Sequence, residues 1–484
     1  TDWLARFARL DGRDTYFMTG TDEHGLKIAQ AARKDGVEPQ QFVDGMVQHF
    51  IAMCDRLNIS RDRFIRTTDP DHKAVVQALW RKLVEAGDIY LDRYEGWYSV
   101  RDEAYFDEDE LIVADDGTKL APTGTEVAWT VEESWFFRLS HYQDALLKLY
   151  AEQPDFVQPS NRLNEMRAFV ERGLKDLSIS RTSFDWGVPV PDSPGHVMYV
   201  WLDALTNYLT PSGWPAEGWE AKWPADLHVI GKDVVRFHAI YWPAFLMSAG
   251  LPLPRGIFGH GFVLNRGAKM SKSLGNIVEP MGLSDTFGVD PLRYYLLRAI
   301  QFGQDGEWSH EAIGRRINAD LANDLGNLAQ RTLSMIAKNC GNAVPPDGPA
   351  TEADVALLAE VSGMLAEARA AHAAVRPDLA LDAIWARVGA VNGYLNEMAP
   401  WALRKTDPAR ADVVLYHAAE CIRRIALLVQ PAMPDSAAKL LDQLAVGGDG
   451  RSFGAFDARL VPGTALPPPQ GVFPRWVEPA EDEG

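Results

Sequence analysis

The sequence predicts an α/β part built on a parallel sheet, interrupted by a β-rich insertion and followed by an all-α bundle. Three observations carry this. Short apolar runs at residues 15–19 and 227–230 each end in a polar, glycine-marked turn and lead into a helical pattern. That is how a parallel sheet places its ligand crevice at the carboxyl ends of its strands. From residue 89 to about 177 aromatic and acidic residues alternate instead, a texture of antiparallel strands. From residue 313 to 429 the chain is Ala/Leu-rich with helical periodicity throughout.

With 484 residues the chain can form two to four domains. Its 46 % hydrophobic and 24 % charged residues are those of an ordinary globular protein, and no run of about eighteen uncharged apolar residues suggests a membrane span. Cys54, Cys340 and Cys421 stand far apart, so neither a disulfide framework nor a zinc site is expected, and a reduced, cytoplasmic setting is. The net charge of −19 disfavours broad electrostatic binding of a polyanion. An RNA partner would have to be held by few, placed contacts.

Taken in order, Trp3, Leu4, Phe7 and Leu10 recur at helical spacing and Asp11-Gly12 ends that helix. Residues 15–19 read as a buried strand. The turn Gly20-Thr21-Asp22-Glu23-His24-Gly25 follows, with polar groups at the edge of a crevice, and a helix runs over 26–34. Amphipathic helices are predicted at 39–57 and 70–86. In the insertion, Asp115-Asp116-Gly117-Thr118 gives a hairpin turn and residues 134–139 an apolar strand. The sheet resumes near residue 196, with an aromatic run feeding a helix that carries Tyr208. Residues 227–230 form a buried strand ending in Gly231-Lys232-Asp233. In the next helix Val234, Phe237, His238 and Trp242 share a face. Core packing accounts for Phe237 and Trp242 but not for His238, whose imidazole needs a partner.

Residues 259–264 read as an apolar strand opened by glycines. Lys269-Met270-Ser271-Lys272-Ser273 then packs two lysines and two serines into five residues before Leu274-Gly275-Asn276. Such a loop suits a polyphosphate, whose developing charge it would stabilise. Pro291 stands in the first turn of a helix over the following residues. In the bundle, Leu321, Leu325 and Leu328 form one stripe and Leu357, Val361, Leu365 and Ala368 another. Asn327 and Arg331 lie four apart, able to meet base edges and phosphate. Ala399-Pro400-Trp401 breaks a helix and leaves an indole on which an unstacked base could lie. The tail after about residue 447 is expected to be irregular and to pack back through Phe453, Phe456 and Trp476.

The stretch from Gly259 to Asn276 resembles the second signature of class I aminoacyl-tRNA synthetases. The motifs Gly20-Thr21-Asp22-Glu23-His24-Gly25, Tyr199-Val200-Trp201-Leu202-Asp203-Ala204 and Gly231-Lys232-Asp233-x-x-x-Phe237-His238 are similar to the methionyl branch of that family. The resemblance runs from the first residues to about residue 430. It implies a Rossmann-type catalytic domain in two halves, 1–88 and 191–258, around a connective insertion at 89–190. A signature-loop and stem-contact region at 259–312, an α-helical anticodon-binding domain at 313–445 and a tail at 446–484 would follow.

The implied reaction is ATP-dependent activation of L-methionine to methionyl-adenylate and transfer to tRNA(Met), with Mg²⁺ accompanying ATP. Lys269 and Lys272 would stabilise the transferring phosphates. Asp22 would meet the amino group. Trp201, Ala204, Leu205, Tyr208, Val234, His238 and Trp242 would surround the thioether, Leu205 standing where some relatives have proline. Gly231, Asp233, His260, Gly261, Val263 and Lys272 would hold ATP. Asn327, Arg331 and Trp401 would read the anticodon. The family's first signature, His-x-Gly-His, does not occur in this sequence. The expectation is that a strand and a turn, on the order of twenty to thirty residues, precede Thr1. Zinc knuckles common in the family's insertion need C-x-x-C pairs, but Ser99 and Asp102 occupy that spacing. A metal-free insertion held by Tyr and Trp packing is therefore expected.

A monomer is expected, since no oligonucleotide-binding domain is appended after residue 430. Two alternatives remain. Another class I synthetase for an apolar amino acid is opposed by the short insertion and by Trp201, His238 and Trp242. A catalytically inactive tRNA-binding paralogue is favoured only by the missing signature.

Overall fold

The structure is a computed structural model describing residues 1–102, 104–265, 268–269 and 279–478. The chain divides into two compact units. One comprises residues 18–52 and 61–260, the other residues 1–17, 53–60 and 261–484.

The first unit holds the parallel strands. Met18–Thr21 pairs in parallel with Arg63–Arg66, aligning Gly20 with Ile65. This strand starts later than the sequence predicts, and Tyr16 is exposed. Its partner, Arg-Phe-Ile-Arg, was not foreseen, because a short run flanked by arginines looks polar although Ile65 is buried. His228–Gly231 pairs in parallel with Ile257–His260, which in turn pairs with Val157–Gln158. Helices start where proline is tolerated, as in Pro70–Glu85, and bury aromatic faces. Trp80, Phe137, Phe245 and Trp242 belong to this unit's core.

The insertion is antiparallel, in the order Ala104–Phe106, Ile89–Ser99, Ala128–Phe137, Leu177–Ser178. Its long central pair runs in register from Ile89 opposite Phe137 to Tyr98 opposite Ala128. A hairpin joins Ile112–Val113 to Lys119–Leu120 across the predicted turn. Aromatic packing is present, with Trp97 edge-on to Trp129 at 5.3 Å and the Lys119 ammonium 4.1 Å from the Trp97 ring centre. The expectation that packing alone holds this region needs correction. Asp102 accepts hydrogen bonds from Ser99 Oγ at 2.9 Å and Thr125 Oγ1 at 2.6 Å, and from Thr123. One carboxylate thus gathers hydroxyls from two loops, with charge-assisted bonds tying them together.

The second unit is mainly helical. Pro408–Val429 is buried on nearly all sides and is the centre of the bundle, as an all-round apolar helix must be. Its fully buried Glu420 is neutralised by Arg423, whose Nε approaches to 2.9 Å, and by Arg424, also at 2.9 Å. Leu321, Leu325 and Leu328 are buried, but the first two lie on a π-helical stretch, Ile317–Gly326, that periodicity does not reveal, and Leu328 on the helix Asn327–Asn339 after it. The second stripe is split where Glu352–Ser362 gives way to Met364–Ala373. Phe453 and Phe456 are buried in this core, and the Trp476 ring lies 5.2 Å from that of Phe287.

Residues 259–264 do not form one strand. Ile257–His260 ends at the histidine, and Val263–Asn265 belongs to the other unit, where it pairs in parallel with Gly306–Trp308 and antiparallel with Ala268–Lys269. The break is steric: a Cβ on Gly261 would stand 2.2 Å from the Gln304 carbonyl oxygen, so only glycine lets the two backbones pass. The first helix, Asp2–Leu10, also clusters with the helical unit rather than with the sheet.

Candidate active site and anticodon pocket

At the carboxyl ends of Met18–Thr21 and His228–Gly231 lies a cavity of about 290 Å³, the small end of the range for ligand pockets. Asp22, Trp201, Ala204, Leu205, Tyr208, Val234, His238 and Gly231 all line it. Trp242 does not. It is wholly buried, with its ring centre 6.2 Å from that of Tyr208, and it backs the wall rather than forming it.

The wall is built from neutral rings. His238 Nδ1–H donates to the Val234 carbonyl at 2.9 Å, so Nε2 is the acceptor for the Tyr208 hydroxyl at 2.7 Å. Burial pushes the imidazole down to about 4, only partly offset by the Val234 bond. Burial likewise raises the Tyr208 phenol. Both groups are therefore uncharged at neutral pH and offer polar edges without net charge to a polarisable ligand. His238 sits in the π-helical turn Phe237–Tyr241, an irregularity that recurs at functional sites. Trp201 stacks on Phe237 at 3.7 Å, and its indole nitrogen is buried with no partner among the described residues.

Three carboxylates gather at one end. Glu23 is fully engaged, accepting from Arg66 Nε at 2.8 Å, from Thr21 Oγ1 at 2.7 Å and from Thr68. Asp203, 1 % exposed, accepts from His24 Nδ1 at 2.7 Å and from His72 Nε2 at 2.8 Å. Its burial would raise it, but the two imidazoles outweigh that and hold it below the usual carboxylate range. Asp22 has no hydrogen-bond donor among the described residues and is open to the cavity. Enclosure by protein, reinforced by the Asp203 charge, pushes it up to about 6. A carboxylate left unsatisfied beside two satisfied ones is a site for a cation. The turn can hold it there because Gly20 permits close pairing. A Cβ at that position would stand 2.0 Å from the Ile65 carbonyl oxygen.

Of the remaining predicted residues, His260 aligns with Gly231 across the parallel pair, at the same strand ends. Asp233 lies in the turn Lys232–Val234 directly after the strand. Gly261 and Val263 belong to the other unit. Lys272 and the Lys269 side chain lie outside the described residues. Gly20 and Thr21, from the turn expected at the crevice edge, also line the cavity, as do Met18, Thr19, Ile65, Asn207, Val229 and Ile230, for which the sequence offers no such expectation. Strand alternation could have flagged Ile65. The Asp203 cluster left no local signal, since its partners are 131 and 179 residues away.

In the helical unit a second cavity, of about 490 Å³, is lined by Asn327 and Arg331 together with Gln330, Asn392 and Asn396. Arg331 donates to Asn396 Oδ1 at 3.1 Å, and its guanidinium lies 5.5 Å from the centre of the Trp401 ring. Trp401 follows Ala399, whose left-handed φ of 41° breaks the helix before Pro400. A non-glycine residue held so is strained, a feature typical of binding sites, and the indole that emerges is 44 % exposed. Amides and a guanidinium lining one cavity, with a bared indole beside the guanidinium, can hydrogen-bond and stack a single-stranded base. Among the described residues no group of three or more His, Cys, Asp or Glu side chains could hold a metal ion.

Comparison with known proteins agrees over both units. A family model described as tRNA synthetases class I (M) matches residues 1–333, and one for the anticodon binding domain of methionyl tRNA ligase matches residues 344–483. The methionine–tRNA ligase of Mesorhizobium japonicum is 58 % identical over 483 residues, covering 99 % of this chain and 93 % of its own. That of Mycobacterium tuberculosis is 57 % identical over 492 residues, covering 100 % and 95 %. The crystal structure of the Mycobacterium tuberculosis methionyl-tRNA synthetase bound by methionyl-adenylate superposes with a TM-score of 0.96 at 57 % identity, covering 98 % of this chain and 95 % of that one. Its apo form superposes with a TM-score of 0.89.

Proposed function

This chain belongs to the methionyl branch of the class I tRNA synthetases, and from that premise we propose how its residues divide the work of charging tRNA(Met). The protein is a methionine–tRNA ligase. Methionine's carboxylate attacks the ATP α-phosphate, expelling pyrophosphate, and a ribose hydroxyl of the tRNA's terminal adenosine then takes the methionyl group from AMP. No covalent enzyme nucleophile is needed, so orientation and charge stabilisation supply the rate.

The observation that carries the residue assignment is the unsatisfied Asp22 carboxylate facing a small cavity of neutral aromatic and imidazole edges. It suits a zwitterion with an ammonium at one end and an apolar, polarisable side chain at the other. Asp22 receives the ammonium. Trp201, Ala204, Leu205, Tyr208, Val234 and His238 surround the thioether, with Trp242 supporting the wall. Gly231, Asp233, His260, Gly261 and Val263 hold ATP, which enters with Mg²⁺ as substrate, and Lys269 and Lys272 meet its phosphates. ATP–pyrophosphate exchange screened over the apolar amino acids tests this. Exchange with methionine at the highest kcat/KM is expected, and a branched amino acid turning over faster would overturn it.

Asn327, Arg331 and Trp401 take the anticodon. Removing a base-stacking indole costs about 1–3 kcal/mol per base, so Trp401→Ala should weaken tRNA(Met) binding roughly ten- to a hundredfold. Methionine-dependent exchange without tRNA should be unchanged. Filter binding alongside exchange reads both.

The domain layout given above, with catalytic halves at 1–88 and 191–258, the insertion at 89–190 and the anticodon part at 313–445, is proposed with it. So is a cytoplasmic monomer, in keeping with Cys54, Cys340 and Cys421 forming no disulfide among the described residues. No helix among the described residues is long and apolar enough to cross a membrane.

A further inference from the structure

Asp203 projects from the helix Val200–Thr206, the same helix that gives Trp201, Ala204 and Leu205 to the methionine cavity. Its carboxylate is bonded on one oxygen by His24, from the turn that carries Asp22, and on the other by His72, from the helix Pro70–Glu85. His72 Nδ1 meets the Thr210 hydroxyl at 2.9 Å. The His24 ring packs edge-on to Trp186 at 5.2 Å, and Trp186 in turn donates its indole N–H to the Glu23 carbonyl at 2.7 Å. The side chains of Asp203, His24, His72 and Thr210 are buried, and none of the four lines the cavity.

The arrangement poses an electrostatic problem. Asp22 must be an anion to receive an ammonium, yet the buried Asp203 carboxylate acts on it, and neighbouring like charges disfavour joint ionisation. The groups that face Asp22 are Asp203, His72, His24 and Glu23, together with the Tyr208 phenol. Glu23 is neutralised by Arg66. Asp203 has no arginine or lysine within ion-pair distance among the described residues, only the two imidazoles.

Resting on the reading of Asp22 as the ammonium's partner, we infer that His24 and His72 are positioning residues for amino-acid binding. By offsetting part of the buried Asp203 charge they favour Asp22 as the anion that meets the substrate. Asp203 itself fastens the Asp22 turn to the helix that walls the thioether, so the ammonium end and the side-chain end of the site are held at a set separation.

Methionine titrations of the full chain from pH 6 to 8.5, by calorimetry in two buffers of different ionisation enthalpy, test this with His72→Gln and His24→Gln. Glutamine keeps a hydrogen-bond donor to Asp203 and removes the titratable ring. Each loss of an imidazole should raise the midpoint for methionine binding by about one pH unit. Affinity at pH 6 then falls roughly fivefold relative to the unaltered chain, recovers fully by pH 8.5, and the variant releases more protons on binding near pH 7. The double variant should move further the same way. A loss of affinity equal at pH 6 and pH 8.5, with unchanged proton release, would mean these histidines serve only the fold and would overturn the inference. If one variant does not fold, the other decides. Failure of the unaltered chain to bind methionine at any pH would instead sink the assignment of Asp22.

Discussion

Lys272→Ala lowers the rate of methionyl-adenylate formation by roughly 10²–10³-fold, the cost of removing one preorganised group aimed at developing charge, and leaves methionine affinity unchanged. The asymmetry follows from where the charge appears. On the proposed assignment, methionine is met by Asp22, Trp201 and His238, which line one cavity, whereas the lysine would serve phosphates whose charge redistributes only as pyrophosphate departs. Losing an interaction made equally in ground and transition states would instead lower affinity and kcat/KM together and leave kcat unchanged. Pyrophosphate exchange and a methionine titration on the same preparation separate the two, and equal losses in both would contradict the role.

Asp22→Asn weakens methionine binding at neutral pH by about 2–5 kcal/mol, the cost of losing one member of an enclosed charge pair. That is roughly thirty- to several-thousand-fold in affinity. The melting temperature of the unliganded protein should not fall, because the carboxylate removed has no donor among the described residues and sits beside the like charge of Asp203. Loss of binding with retained or improved stability is the signature of a group kept for function. The same carboxylate sets a pH limit. Its value in the empty site is raised to about 6, while the substrate ammonium is positive throughout the range. Binding requires the anion, so affinity is full above that value. As pH falls below about 6, each molecule bound must first displace a proton, and affinity drops about tenfold per unit. Asp22→Asn should abolish this acid limb, leaving a weak and pH-independent affinity that the same titration would show.

These two predictions differ in what made them possible. The lysines stand within five consecutive residues, where a loop made for phosphate would concentrate its chemistry. Asp22, Trp201, Tyr208 and His238 are legible for a similar reason, each standing in a motif with its own strand end or helix turn. Trp242 shows the limit of such reading. Helical spacing from Val234 puts it on the cavity face, but the π-helical turn Phe237–Tyr241 intervenes and it closes the core behind Tyr208. The anticodon residues divide the same way. Asn327 and Arg331 follow from a four-residue spacing, whereas Asn392 and Asn396 join them only through the packing of a later helix.

What the sequence alone determined about this protein is its class of architecture, its order of parts and the chemistry of its short motifs. These are carried by periodicity and by residues near one another along the chain, where the backbone enforces proximity. Tertiary structure alone decided which polar groups are satisfied. Glu23 has Arg66, Asp203 has His24 and His72, and Asp22 has no donor among the described residues. No local rule distinguishes three carboxylates of one cluster, because their charge states depend on partners brought in from far along the chain and on the water that packing excludes.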